Sequence, residues 1–318
     1  MHVLIYSRFA VAELMRALAE NPAIIVSTAS DKSELKAKIS VAEALAIPAS
    51  LYDEELSCLV NASKLKWIHF ITSGVDPLFR HPPPAQLIIT NSAIAWAPSV
   101  AEHAVALLLA FQRQIHGAQI AKQRQEWKLD ELRPRLQTVM GSIIVILGFG
   151  MIGQQIARRL KGFDATVIAV ARSAREHPDV TKVLPLDALD DVLPKADAVI
   201  VALPYTPSTV HLIDARRLSL LSDRAVIVNV GRGDVIDEAA LETALRTGKI
   251  RGAALDVYER EPLPVDSGLW KLENAILTPH LAGMGSRHLF QHLGAICAEN
   301  AACFLAGREM PTRVWLKG

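Results

Sequence analysis

The chain has 318 residues, a length that at ~100–200 residues per domain predicts two domains of ordinary size. Hydrophobic residues make up 51% and charged residues 21%, which is enough to bury a core and too apolar for an intrinsically disordered chain. Lys and Arg total 34 against 33 Asp and Glu, a net charge of +1; no polybasic surface is expected, which argues against nucleic acid or an acidic membrane as the main partner.

The N-terminal run Met1-His2-Val3-Leu4-Ile5-Tyr6 reads as a buried strand rather than a signal peptide. Strand-like runs follow at Ile24–Val26, Leu45–Ile47, Trp67–Ile71 and Leu87–Thr90, with helical spacing between them at Val11–Glu20 and Asp31–Ser40. Strands alternating with helices imply a parallel sheet covered on both faces. After Pro98, Ser99-Val100-Ala101-Glu102 has the form of a capping box and predicts a helix start there. The clean apolar run Ala104–Phe111 and the interrupted run 139–149 both fall short of the ~20 residues that cross a bilayer. A second alternation then begins, with strands expected at Ser142–Leu147, Thr166–Val170, Ala198–Ala202, Ala225–Asn229, Gly252–Asp256 and Ala275–Thr278. The end is helical again, from about Ser286 to Ala306. The expected division is 1–97, 98–283 and 284–318, the last segment returning to the first domain. The fold class is α/β, with two doubly wound parallel-sheet domains. Cys58, Cys297 and Cys303 are an odd number without a C-x-x-C pair, which suits a reducing, cytoplasmic setting.

The sharpest local signal is Gly148-Phe149-Gly150-Met151-Ile152-Gly153, which follows the strand Ile143–Leu147 and opens a helix. Gly148 permits the tight turn, Gly150 lets a pyrophosphate approach the backbone, and Gly153 allows close helix–strand packing. The free amides and dipole of the helix N-terminus then meet the phosphates. Strand–turn–helix context makes this a dinucleotide site rather than a plain turn. The end of the next strand selects the cofactor, since an NAD site usually places Asp or Glu there for the ribose hydroxyls. Here Val170 is followed by Ala171-Arg172-Ser173, with Arg175 nearby, and Asp164 lies before the strand. No carboxylate repels a 2′-phosphate, and Arg172 can pair with one. NADP(H) is the expected cofactor, with NAD(H) also accommodated; a solvated Arg172 is the plain alternative.

Three further polar sites fall at or just past strand ends, where open parallel sheets place their ligands: Arg232 in Asn229-Val230-Gly231-Arg232-Gly233, Glu261 after Asp256-Val257-Tyr258, and His280 in Thr278-Pro279-His280. One Arg, one Glu and one His suit reduction of a 2-oxo acid. Arg232 holds the carboxylate and polarises the carbonyl, and His280 donates a proton as hydride arrives. Glu261 takes the other imidazole N–H, fixes the tautomer and favours the protonated ring near neutrality. Taken singly, each also reads as an ordinary surface or loop residue.

Together with Val100-Ala101-Glu102-His103 and Leu203-Pro204, with Thr206 and Thr209, these motifs resemble the D-isomer-specific 2-hydroxyacid dehydrogenase family over nearly the whole chain. The resemblance implies a Rossmann-type nucleotide domain inserted into a flavodoxin-like substrate domain. It implies Arg232, Glu261 and His280 as the catalytic triad, and Leu203, Pro204, Thr209, Val230, Gly231, Asp256 and Gly283 along the cofactor, Asp256 on the nicotinamide amide. Ser73 and Gly74 are implied as backbone donors to the substrate carboxylate. A homodimer held through the nucleotide domain is implied, with an intersubunit arm near Trp127.

Departures from the family pattern narrow the reading. Formate dehydrogenase relatives carry Gln where this chain has Glu261. The C-terminal regulatory domain of long phosphoglycerate dehydrogenases is not expected after Gly318. Ala171 stands where Asp is common, as in the NADPH-preferring glyoxylate and hydroxypyruvate reductases. The expectation is an NADP(H)-preferring reductase of small 2-oxo acids. Alternatives are an NAD-dependent dehydrogenase of a bulkier 2-hydroxy acid and a nucleotide-sensing, corepressor-like binding protein. His103, His116, His211, His288 and His292 form no ligand spacing with Cys or carboxylates, and no metal site is expected.

Overall fold

The computed structural model describes residues 1–314. The described residues divide into two compact units, 1–96 with 285–314 and 97–284.

The first unit is built on a five-stranded parallel sheet of β1 (His2–Tyr6), β2 (Ile25–Ala29), β3 (Ala44–Ile47), β4 (Trp67–Phe70) and β5 (Ile88–Asn91), in the order β2-β1-β3-β4-β5. This is the flavodoxin-like order. The central strands β3 and β4 are buried along their whole length, as expected where both faces are covered. The last helix, Leu289–Leu305, belongs to this unit. Its Leu289, Leu293, Cys297 and Ala301 pack into one core with Leu14 and Leu18 of the helix Val11–Ala19. Gly294 makes that packing close, since a Cβ there would lie 2.7 Å from the Glu13 carbonyl oxygen.

The second unit carries seven parallel strands: β6 (Ile143–Leu147), β7 (Thr166–Ala171), β8 (Lys182–Pro185), β9 (Ala198–Val201), β10 (Val226–Asn229), β11 (Gly252–Leu255) and β12 (Ala275–Leu277). Their order, β12-β11-β10-β9-β6-β7-β8, is the Rossmann arrangement extended by one strand. Six strands were expected in this unit, and β8 is the addition. Its four residues, Lys182-Val183-Leu184-Pro185, hold only two aliphatic side chains, too short a run to stand out as a strand.

Two expectations about the helix Ala93–Gln112 are corrected. It does not start at a capping box, because it runs unbroken through Pro98 and Ser99. Pro98 removes one ladder donor, but packing on either side carries the helix across it. Ala95 and Trp96 lie in the first unit's core, and Val100, Ala104, Leu107, Leu108 and Phe111 in the second's. The helix is also 20 residues long and apolar enough to match a bilayer by length and composition, with about half of that stretch buried in the protein. The short clean run Ala104–Phe111 concealed this length.

Candidate active site

The glycine turn between β6 and the helix Met151–Leu160 leaves no room for side chains except at one point. Gly148 has φ of +97°, and a Cβ on it would lie 2.7 Å from the Ala202 carbonyl oxygen. A Cβ on Gly153 would lie 2.0 Å from the Gly148 carbonyl oxygen. Gly150 alone faces open space, with nothing within 4 Å of its Cβ position. The turn is thus a bare backbone cradle at the N-terminus of a ten-residue helix, which fits a pyrophosphate. Met151 is exposed and Ile152 partly buried. The Phe149 ring is buried in the core, so only its backbone is available to a cofactor.

Arg172 and Ser173 are exposed immediately after β7. Arg175, beyond them, turns back over the glycine turn: its guanidinium donates to the Phe149 carbonyl at 2.7 Å and lies 5.4 Å from the Phe149 ring centroid. On the other side of β6, a Cβ on Gly231 would lie 2.6 Å from the Leu203 carbonyl oxygen, so the ends of β9 and β10 approach backbone to backbone. Pro204 is exposed, Leu203 partly so, and Val230 is buried. Thr209 is committed to the loop, donating to the Pro204 carbonyl at 2.8 Å and accepting from the Thr206 N–H at 2.8 Å.

The chemistry-bearing side chains meet beyond the ends of β10, β11 and β12. His280 Nδ1 lies 2.6 Å from Glu261 Oε2, and the imidazole side chain is 49% exposed, leaving its face toward solvent. Glu261 Oε1 accepts the Tyr258 N–H at 3.1 Å. Burial acts to raise the Glu261 pKa, but the His280 hydrogen bond and charge, the Tyr258 N–H and the Arg232 charge prevail and hold it below its ordinary value. Arg232 is partly buried, and its Nη1 donates to the Gly231 carbonyl at 2.7 Å.

Asn229, to which the motif alone gives no role, shapes this corner. Its Oδ1 accepts the Gly231 N–H at 3.0 Å and its Nδ2 donates to the Arg232 carbonyl at 3.0 Å. A Cβ on Gly233 would lie 1.8 Å from the Tyr258 carbonyl carbon, so only glycine brings Arg232 this near the 258–261 segment.

Asp256 is tied to the turn after β12. It is 1% exposed, and its carboxylate accepts from Thr278 Oγ1 at 2.6 Å, the Leu281 N–H at 3.0 Å and the Ala282 N–H at 2.9 Å. A side chain so engaged organises the turn after β12. Spacing alone could not reveal that burial. Gly283, at the end of this turn, is partly exposed.

In the first unit, Ser73 and Gly74 follow β4 and are partly exposed. The Ser73 carbonyl accepts from Asn91 Nδ2 at 2.8 Å, and the Trp96 indole N–H donates to the Ile71 carbonyl at 2.9 Å. Both bonds fasten the loop by its carbonyls.

The family model described as "D-isomer specific 2-hydroxyacid dehydrogenase, NAD binding domain" matches residues 105–282. The chain is 34% identical over 290 residues to D-3-phosphoglycerate dehydrogenase of Mycobacterium tuberculosis, covering 91% of this chain and 54% of that protein. It therefore spans about half the length of that relative. It is 34% identical over 262 residues to glyoxylate reductase of Pyrococcus horikoshii, covering 80% of this chain and 77% of the other. Among solved structures, an NADPH-dependent glyoxylate/hydroxypyruvate reductase of Sinorhizobium meliloti, in complex with NADP and sulfate, superposes with a TM-score of 0.84 at 25% identity, covering 98% of each chain.

Proposed function

The chain belongs to the D-isomer specific 2-hydroxyacid dehydrogenase family, and from that premise we propose that it reduces small 2-oxo acids, glyoxylate or hydroxypyruvate, to D-2-hydroxy acids with a preference for NADP(H). The observation that carries the reading is the 2.6 Å His280–Glu261 pair, standing with Arg232 beyond the ends of three adjacent parallel strands.

In this reading the turn 148–153 holds the pyrophosphate, Arg172 and Ser173 take the 2′-phosphate, and Leu203, Pro204, Val230, Gly231 and Gly283 border the nicotinamide half. The bound cofactor supplies the hydride. Arg232 binds the substrate carboxylate and draws electron density toward the carbonyl oxygen. His280 delivers a proton to the carbonyl oxygen from Nε2, because Nδ1 is engaged by Glu261. Glu261 stabilises the imidazolium before transfer and keeps the ring in one tautomer. Support for NADP(H) comes from the exposed Arg172 in place of a carboxylate and from the NADP-bound relative. The phosphoglycerate dehydrogenase relative makes a bulkier, phosphorylated substrate the second reading. A homodimer through the nucleotide-binding unit is proposed on the resemblance and on Trp127, which is 92% exposed.

His280→Ala is expected to lower turnover by about 10²- to 10⁴-fold, the range for a general acid, while NADPH still binds in a fluorescence titration. Near-normal turnover removes His280 from the role. Arg232→Ala should raise KM and lower kcat together, and unchanged kinetics refute that assignment.

A further inference from the structure

The backbone of His280 has φ of +50°, a left-handed conformation that residues other than glycine rarely adopt. Such a conformation persists only where its surroundings over-determine it, and here they do. The His280 N–H points at two carbonyls, Asp256 at 2.8 Å and Thr278 at 3.0 Å. The next two N–H groups, of Leu281 and Ala282, both bind the Asp256 carboxylate. Asp256 thus grips the turn with its main chain before His280 and with its side chain after it.

What holds Asp256 is a donor chain from the helix Ala93–Gln112. The Thr278 hydroxyl has one proton, and Asp256 Oδ1 at 2.6 Å is its near acceptor; the alternative, the Leu255 carbonyl, is 3.4 Å away. With its proton committed, Thr278 Oγ1 is an acceptor toward His103 Nε2 at 3.1 Å, so His103 carries a proton on that nitrogen. His103 Nε2 is itself 3.5 Å from Asp256 Oδ1. The order is His103 Nε2–H to Thr278 Oγ1–H to Asp256, then to the backbone that sets His280.

We propose that His103 and Thr278 are positioning residues for proton transfer, acting through Asp256 to fix the backbone and hence the aim of His280. The proposal rests on the reading of His280 as proton donor, and neither residue touches the reacting atoms.

Thr278→Val keeps the branched shape and removes the hydroxyl. It is expected to lower kcat for 2-oxo acid reduction about ten-fold, the effect of losing one charge-assisted hydrogen bond, with KM for the oxo acid and Kd for NADPH each within about two-fold of the parent. Thr278→Ser should restore kcat. His103→Gln keeps a donor and should stay near the parent, whereas His103→Leu should fall with Thr278→Val. Because His103 is partly exposed on a helix, this second pair decides the matter if Thr278→Val does not fold. Amide hydrogen exchange reads the same network without turnover: Leu281 and Ala282 should exchange faster in Thr278→Val and His103→Leu and return to parental rates in Thr278→Ser. Unchanged kcat and unchanged exchange in the Val and Leu variants overturn the proposal. Weakened NADPH binding with kcat retained also overturns it, by making Asp256 a cofactor ligand. A parent that reduces no 2-oxo acid contradicts the proposed function instead, and the exchange measurement still decides whether His103 and Thr278 hold the turn.

Discussion

Glu261 combines partial burial with a cation on one side, and the balance of those two effects sets how it responds to pH. Burial alone would favour its neutral form, yet His280, the Tyr258 N–H and Arg232 keep its pKa depressed below the ordinary 4.5. A depressed carboxylate contributes stability that is fully present above the unfolded value and is lost as pH falls through the folded one. The stability difference between the parent and Glu261→Gln is therefore expected to shrink as pH falls below 4.5. Urea titrations at several pH values measure it, and a difference that grows on acidification would contradict the assigned direction. The same substitution should lower kcat for reduction, since an amide cannot compensate an imidazolium charge. Arg232, Glu261 and His280 were legible at this scale because each lies at a strand end where parallel sheets gather polar groups. The burial of Asp256 and the clamp by Asn229 were not legible, because both depend on which backbone amides the folded turns bring within reach.

At the level of elements, β4 and β5 are joined by a buried polar chain. The Trp67 indole N–H donates to Thr90 Oγ1 at 2.8 Å, which leaves the Thr90 hydroxyl proton for His69 Nδ1 at 2.7 Å. His69 Nε2 then donates to Ser92 Oγ at 3.0 Å. Burial pushes the His69 pKa down to about 3, so the ring is neutral at pH 7. Between 6.5 and 3 the unfolded chain binds a proton that the folded chain refuses, so stability falls as pH drops through that window. His116, whose pKa is also lowered, first by burial, contributes in the same direction. His69→Gln should flatten the stability profile between pH 6.5 and about 5, above most carboxylate titrations. An unchanged slope in chemical unfolding would show that His69 titrates normally. Elements with strong alternation or helical spacing were readable in advance. β8 and the early start of the helix Ala93–Gln112 were not, because one is set by pairing with β7 and the other by cores on both sides of Pro98. Tertiary packing overrode the local signals of Ser99 and Pro98.

For the whole molecule, the sheet orders β2-β1-β3-β4-β5 and β12-β11-β10-β9-β6-β7-β8 place all proposed chemistry at carboxyl ends of strands. Association is the property that the single chain leaves to its surface. Trp127 lies between the short helices Ile115–Gln123 and Leu129–Leu132, with Leu129 and Met140 also exposed. If this arm seats on a second copy, Trp127→Glu should shift sedimentation velocity toward monomer at micromolar concentration, because an interfacial carboxylate would be desolvated without a partner. A parent that sediments as a monomer would contradict the dimer directly.

Reductase activity and cofactor choice are read together in the oxidation of NADPH and NADH, side by side, by glyoxylate, hydroxypyruvate, pyruvate and phenylpyruvate, with Arg172→Ala beside the parent. Turnover is expected with glyoxylate and hydroxypyruvate, faster with NADPH, with a preference that collapses in Arg172→Ala while NADH turnover persists. Equal or better turnover with NADH would contradict the 2′-phosphate role of Arg172 and leave the triad standing. No turnover with any pair would contradict the reductase itself.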